Sequence, residues 1–308
     1  MDFEASSEQA AIVEAVGSLL AGAAGPERAI LLARKQEVDA ALDRALLEAG
    51  FLDTALEAGP LEAALVVEAV ARAAGVVAIG AGALVAPCVA GRRLAGPIAL
   101  AFADSPGLVR FAAHARTLLV CDGDLARAIP LDPGAAPGVR SNFGYPIGRL
   151  PADLAACGEP LGPGSGERLL AWWRVALAAE AVGTMQAALD TTVAYARRRR
   201  QFGRAIGSFQ AVAHRLAQCA VLVEGSRWLA LEAAALGAPA EAAATAAAHA
   251  TTAAGTLFAE THQLSGAMGF TREHALHVWS MRLVALRLEA GGPAAHRRAA
   301  ARARWLHA

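Results

Sequence analysis

The chain has 308 residues, of which 28 are basic and 28 acidic, so its formal net charge is zero. That balance excludes general nucleic-acid binding by long-range attraction, and the length suffices for one large domain or two to three small ones. Hydrophobic residues make up 56%, inflated by alanine, the best helix former, so a mostly helical protein is expected.

Met1-Asp-Phe-Glu lacks the positive region of a signal peptide. Ser7 precedes a predicted helix over 8–20, with Ile12, Val13, Val16, Leu19 and Leu20 on one face. A second helix is predicted over 38–49, ended by Gly50. Gly59-Pro60 opens a third over 61–74, where Pro60 suits the first turn. A small-residue helix follows over 79–94. The apolar stretch 76–90 is too short and too rich in Gly and Ala to span a bilayer.

Near Gly96-Pro97 the pattern changes. Short runs over 97–102, 108–111, 117–121 and 126–131, punctuated by Gly, Pro and Asp, read as β-strands joined by turns. Turn residues stay frequent up to Gly166. The expected organisation is an N-terminal helical domain over 1–96, a small β-domain over 97–166 and a helical domain over 167–308. In the last, helices are predicted over 167–200, 208–236, 239–264, 273–289 and 293–306, forming a four-helix bundle. Leu170, Arg174, Leu177, Ala181, Thr184 and Ala188 recur at helical spacing in the first. The four cysteines, Cys88, Cys121, Cys157 and Cys219, are widely spaced, which suggests neither a zinc site nor a disulfide framework and fits reduced thiols in a cytoplasm.

The chain is organised around Tyr195–Ala217. Four arginines close one helix, Gly203 and Gly207 turn the chain, and Ser208 is the expected N-cap of the next helix. Basic side chains beside free helix-start amides favour an anion. The stretch Arg199-Arg-Gln-Phe-Gly-Arg-Ala-Ile-Gly-Ser-Phe-Gln-Ala-Val-Ala-His resembles the signature of the acyl-CoA dehydrogenase family. Gln263-Leu-Ser-Gly-Ala-Met-Gly-Phe-Thr-Arg-Glu-His resembles the family's Gln-x-x-Gly-x-x-Gly element. The N-terminal helices, with their opening Asp2-Phe3 and Glu8-Gln9, match more loosely. The β-domain is short, and the family's Thr-Glu-Pro-x-x-Gly-Ser-like loop and Trp-x-Thr-like strand have no counterpart in it.

The resemblance implies a mainly α fold with a small central β-domain and FAD as cofactor. It implies an acyl-CoA thioester as substrate, losing its α-proton to a carboxylate and its β-hydrogen as hydride to the flavin. It places Arg199 at the flavin pyrophosphate, or its ribose and adenine side, Phe202 and Gln210 beside the cofactor, and Gln263, Gly266 and Gly269 at the pyrophosphate. In the family these groups serve the neighbouring subunit's flavin. Arginine offers phosphate a fork of donors, and glycine lets the main chain come near. Arg174 matches a substrate-side arginine; its alternative is an ion pair with a carboxylate of the last helices.

Glu289 is the positional candidate for the base, followed by Ala290 and a glycine turn but lacking the family's aromatic and threonine neighbours. Its alternative is a carboxylate paired with Arg282 or Arg287. The family's other base position is Trp173 here, and Glu180 and Asp190 are weaker candidates. His274 and His277 form a His-x-x-His read as a surface feature, not a metal site. His214 is read as packed or hydrogen bonded. Short family members resembling this chain occur as unequal partners in α2β2 tetramers, some acting on steroid-derived thioesters. Three readings stand: a self-sufficient dehydrogenase subunit, in a homotetramer or with a second chain; a catalytically silent partner completing another chain's FAD site; and a helical scaffold without cofactor. An electron-transferring flavoprotein is the acceptor that the resemblance suggests. No nucleic acid or membrane partner is expected.

Overall fold

A computed structural model describes residues 5–104, 107–151 and 158–305. The expectations on Met1, Asp2, Phe3, Cys157 and Leu306 lie outside the described residues. Helix α1 (Ser7–Ala23) begins in a capping box: the Ser6 hydroxyl accepts from the Gln9 amide at 3.1 Å, and the Gln9 side chain accepts from the Ser6 amide at 3.0 Å. Ser6, not Ser7, is therefore the cap. Helix α2 (Pro26–Lys35) was not predicted from the sequence; it is short and amphipathic, burying Ala29 with Ile30 and Leu32 packed against the core. In α3 (Ala40–Glu48) the Asp39 carboxylate caps the Leu42 amide at 3.0 Å. After a single turn, α4 (Thr54–Glu57), α5 (Pro60–Arg72) starts on Pro60 as expected.

The helix expected over 79–94 is a π-helical stretch, Gly80–Val85, running into a short α6 (Ala86–Ala90). Pro87 has no N–H to donate, and its ring crowds the carbonyl four residues back, so the preceding turn widens. The stretch packs on the longest helix, and a Cβ on Gly80 would stand 2.3 Å from the Glu180 carboxylate.

Two small sheets follow. In the first, β1 (Ile98–Phe102) runs parallel to β3 (Thr117–Asp122), β3 pairs antiparallel with β4 (Leu125–Pro130), and β4 with β7 (Glu159–Pro160). In the second, β2 (Leu108–Arg110) and β5 (Gly138–Val139) flank β6 (Ile147–Arg149). The period of two along β3 divides its side chains. Leu118 and Val120 join a local core with Ile129, Leu131 and Leu150, while Leu119 and Cys121 join the large helical core.

The remainder is a bundle of α7 (Ser165–Arg198), α8 (Gln210–Ala235), α9 (Ala240–Ser265), α10 (Leu276–Leu288) and α11 (Gly292–Trp305). The fold is mainly helical with a small central sheet region. Close approaches at glycines lock it together. A Cβ on Gly183 of α7 would lie 2.1 Å from the Glu68 carbonyl of α5, so the two backbones touch there. At the start of α7, the Ser165 hydroxyl accepts from the Ala126 amide at 2.7 Å and ties the bundle to the sheet. From α10, Trp279 donates to the Arg72 carbonyl at 3.1 Å, and Arg282 to those of Ala74 (3.1 Å) and Gly75 (3.0 Å). These side chains serve carbonyls at the end of α5 that have no partner within the helix. Among the described residues no helix is long and apolar enough to cross a membrane.

Candidate functional site

The arginine-rich turn is built as a tight hairpin. Helix α7 ends at Arg198, and β8 (Arg200–Gln201) pairs with β9 (Arg204–Ala205) across Phe202 and Gly203. Both turn residues have positive φ, 52° and 79°, the twist a two-residue hairpin needs. Ser208 does not cap α8, contrary to expectation: its hydroxyl donates to the Ala205 carbonyl at 2.7 Å, and α8 starts after Phe209 with no side-chain cap. His214, on the first turns of α8, is exposed and not packed.

The same bundle end carries the second motif. An Arg215–Glu260 ion pair at 2.5 Å holds the start of α8 against the end of α9, and Tyr195 packs edge-on against His274 at 5.5 Å. Gly266 ends α9 at φ 58°, with open space where a Cβ would be. At Gly269 a Cβ would stand 2.9 Å from the Ser265 side chain. Arg199, Gln210, Gln263 and Gly266 are exposed, and Phe202 is 91% exposed. Arginine forks, a side-chain amide, an aromatic face and bare main chain thus share one surface. This donor set suits a flavin's phosphates and adenine, and its openness makes it half of a cradle.

Glu289 lies elsewhere, in the turn between α10 and α11. Ala290 follows at φ 48°, a left-handed conformation that an L side chain adopts under strain. The Glu289 carboxylate accepts from Arg110 Nε at 2.5 Å, Arg110 Nη2 at 3.2 Å and Trp173 Nε1 at 3.1 Å. Arg110 Nη1 also pairs with Glu180, and its guanidinium lies 4.7 Å from the Tyr145 ring centroid. The Arg282 guanidinium lies 4.8 Å from the same centroid. The side chains of Arg110, Glu180 and Glu289 are 14%, 7% and 17% exposed, so this is a buried ionic cluster. Burial raises the Glu180 carboxyl above its ordinary value against the pull of Arg110. For Arg110, burial acts downward, and the two glutamates outweigh it.

Glu289 is thus a paired carboxylate, but buried and not solvated, and its cation is Arg110, not Arg282 or Arg287 as expected. Arg110 escaped the sequence reading; a lone arginine inside the apolar run Leu108–Phe111 was the available signal. The cavity beside the cluster, between Ala78, Leu100, Phe111 and Leu177, is about 20 Å³, room for about one water.

Arg174 faces away from this cluster. Among the described residues no carboxylate forms an ion pair with it, its Nε is buried without a hydrogen-bond partner, and burial lowers its pKa. The ion-pair alternative for Arg174 is therefore not seen among the described residues. Its charge reaches His296, which is fully buried with both ring nitrogens unpartnered and is pushed down to about 4, chiefly by burial. Asp190 pairs with Arg72 at the surface at 2.8 Å. His277 sits 2.8 Å from the His274 carbonyl, and no three metal-ligating side chains gather among the described residues. Burial pushes the Cys88 and Cys219 thiols up to about 12 and 11.

A helical bundle with a small inserted sheet and a basic, glycine-turned end defines a class that comparison with known proteins makes explicit. Residues 165–304 match the family described as "Acyl-CoA dehydrogenase, C-terminal domain". The acyl-CoA dehydrogenase IpdE2 of Mycobacterium tuberculosis is 41% identical over 124 residues, 40% of this chain and 38% of that relative. The chain therefore spans well under half the length of that relative. Among solved structures, the ChsE4-ChsE5 complex from Mycobacterium tuberculosis superposes with a TM-score of 0.81 at 22% identity, covering 98% of both chains. A Tcur3481-Tcur3483 steroid ACAD superposes with a TM-score of 0.82 at 24% identity, covering 97% of this chain and 98% of that one. Residues 165–304 are thus similar to that family's C-terminal domain, and the whole chain shares the fold of these solved structures.

Proposed function

We propose that this chain is a subunit of an FAD-dependent acyl-CoA dehydrogenase that introduces an α,β double bond into an acyl-CoA thioester. Bound flavin supplies the hydride acceptor. Arg199, Phe202, Gln210, Gln263, Gly266 and Gly269 would hold its phosphate and adenine half from the exposed bundle end. The partner is a second, unlike dehydrogenase chain in an α2β2 assembly, with a homotetramer as the other arrangement. The likeness to the ChsE4-ChsE5 complex and to a steroid ACAD supports that assembly and a bulky, steroid-derived acyl group. An electron-transferring flavoprotein completes the reading as acceptor. Free thiols at the half-buried Cys88 and the buried Cys121 and Cys219 support a reducing, cytoplasmic setting.

The state of Glu289 is the observation that bears on the choice between a self-sufficient subunit and a silent partner. A carboxylate that removes a carbon-bound proton needs a free oxygen within reach of that carbon. Here both oxygens are engaged by Arg110 and Trp173, beside a cavity of about 20 Å³. This geometry favours the silent-partner reading, in which the partner supplies the base and this chain supplies flavin contacts. Arg174, in this reading, is a remnant of the substrate side.

The test is the visible spectrum of the chain purified alone and after co-expression with a dehydrogenase chain encoded beside it. The expected result is a colourless chain that turns yellow only with its partner, with one flavin shared by each unlike pair. Arg199→Ala should strip that flavin. A yellow homomer whose turnover is abolished by Glu289→Gln would overturn the silent-partner reading, and full flavin retention in Arg199→Ala would overturn the shared site.

A further inference from the structure

The last helix, α11, carries charge of one sign. From Ala290 to Ala308 the sequence holds four arginines and no aspartate or glutamate. At 3.6 residues per turn, Arg304, Arg297, Trp305, Arg298 and Arg302 fall on one arc of roughly 160°. All five are exposed, while Gly292 and His296, on the opposite side, are buried. Arg297 meets the Thr252 hydroxyl at 3.4 Å, and Arg304 pairs with Glu241 at 3.3 Å near the end of the helix. Among the described residues, Arg297, Arg298 and Arg302 have no carboxylate within ion-pair distance. Arg298 and Arg302 stand four residues apart, a spacing at which like charges repel on a helix, and a negative surface would relieve that repulsion.

Both ends of this basic strip are apolar. At its C-terminal end Trp305 is 68% exposed, with the Arg304 guanidinium 5.8 Å from its ring centroid. Before its start Leu288 is 66% exposed and lines a groove of about 430 Å³ with Phe258, Leu283, Val284 and Pro293. Ala294 lines the same groove and lies in the middle of the basic arc, so groove and strip are continuous. Among the described lining residues Arg287 alone is charged. Its guanidinium lies over α9, where a Cβ on Gly255 would stand 2.8 Å from Nη1, and no described carboxylate pairs with it.

We propose that this face adsorbs to an anionic lipid surface, with headgroup phosphates on Arg297, Arg298 and Arg302 and with Leu288 and Trp305 in the apolar boundary beneath them. A guanidinium fork fits phosphate oxygens. Leucine and tryptophan beside a basic face anchor a helix that lies in an interface. A polynucleotide would meet the arginines but offers nothing apolar to Leu288 and its groove. A lipid surface supplies both kinds of contact. The face shares no residue with the flavin contacts proposed above or with the Glu289 cluster, so the two proposals stand or fall separately.

The test is co-sedimentation of the full chain, with its partner if the two co-purify, with phosphatidylcholine vesicles that contain or lack phosphatidylglycerol, at low and high salt. Binding should require the anionic lipid and fall as salt screens the arginines. Each arginine near the surface contributes about fivefold to partitioning, so Arg298→Gln with Arg302→Gln should weaken binding roughly twenty-five-fold. Glutamine is a good helix former, so helical circular dichroism should persist. Arg298→Lys with Arg302→Lys keeps the charge and should keep binding. Tryptophan fluorescence should shift to the blue on vesicles, and Trp305→Phe should abolish the shift. Equal binding to both vesicles, no binding, unchanged binding of the glutamine variant, loss of binding in the lysine variant, or a shift that survives Trp305→Phe would each overturn the proposal. Dissociation of the assembly by the glutamine variant would also overturn it and make the face a contact between subunits. Retention on polyglutamate without vesicle binding would overturn it in favour of an acidic protein. None of these readouts depends on flavin or turnover.

Discussion

Replacing Arg110 with methionine tests the buried cluster that closes the base position. The substitution keeps an unbranched stem and removes the cation between Glu180 and Glu289, leaving two carboxylates with side-chain exposures of 7% and 17%. Removing one member of a buried ionic set typically costs about 3–5 kcal/mol, because the remaining charge is stranded. For a chain of this size that loss lowers Tm by roughly 5–8 °C. The pH dependence fixes the cause. Glu180 already has a raised pKa, so its ionised form opposes folding, and stability falls as pH rises through that value. Without Arg110 the value rises further. The deficit of the variant should therefore be full at neutral pH and shrink as acid protonates both carboxyls. Thermal unfolding followed by circular dichroism at neutral and acid pH reads both effects. Adding Glu180→Gln and Glu289→Gln to Arg110→Met should recover most of the loss. An unchanged Tm in the single variant, or a deficit that persists after the carboxylates are removed, would refute the account.

Gly183→Ala places a Cβ 2.1 Å from the Glu68 carbonyl and should cost about 1–3 kcal/mol or more as α5 and α7 part. Gly17→Ala in α1 meets nothing within 4 Å and should gain up to about 1 kcal/mol. Denaturant melts that place the two variants equal would contradict the crossing geometry. His296, held down to about 4, stays neutral in the folded chain while the unfolded chain takes up a proton near its ordinary value of 6.5. Stability is therefore lost as pH falls from 6.5 towards 4, by up to about 1.4 kcal/mol per pH unit. His296→Phe should flatten that slope, and identical slopes in variant and parent would exclude a buried neutral His296.

Much of this chain was determined by local chemistry. Alanine content and apolar periodicity define the long helices, Pro60 starts α5, and alternation with turn residues sets β1 to β4, all of which depend on neighbours a few residues away. The arginine- and glycine-rich motifs were legible because their residues act through backbone conformation and surface charge. What the sequence by itself left open was every pairing between distant elements. Glu289 was visible as a carboxylate after α10, but its pairing with Arg110, 179 residues away in β2, is a product of packing the sheet against α7 and the turn before α11. The same holds for Arg282, whose donors serve carbonyls at the end of α5, and for the groove that α9, α10 and the start of α11 enclose beside Leu288. Charge–charge partners are chosen by distance in space, which only the tertiary structure decided.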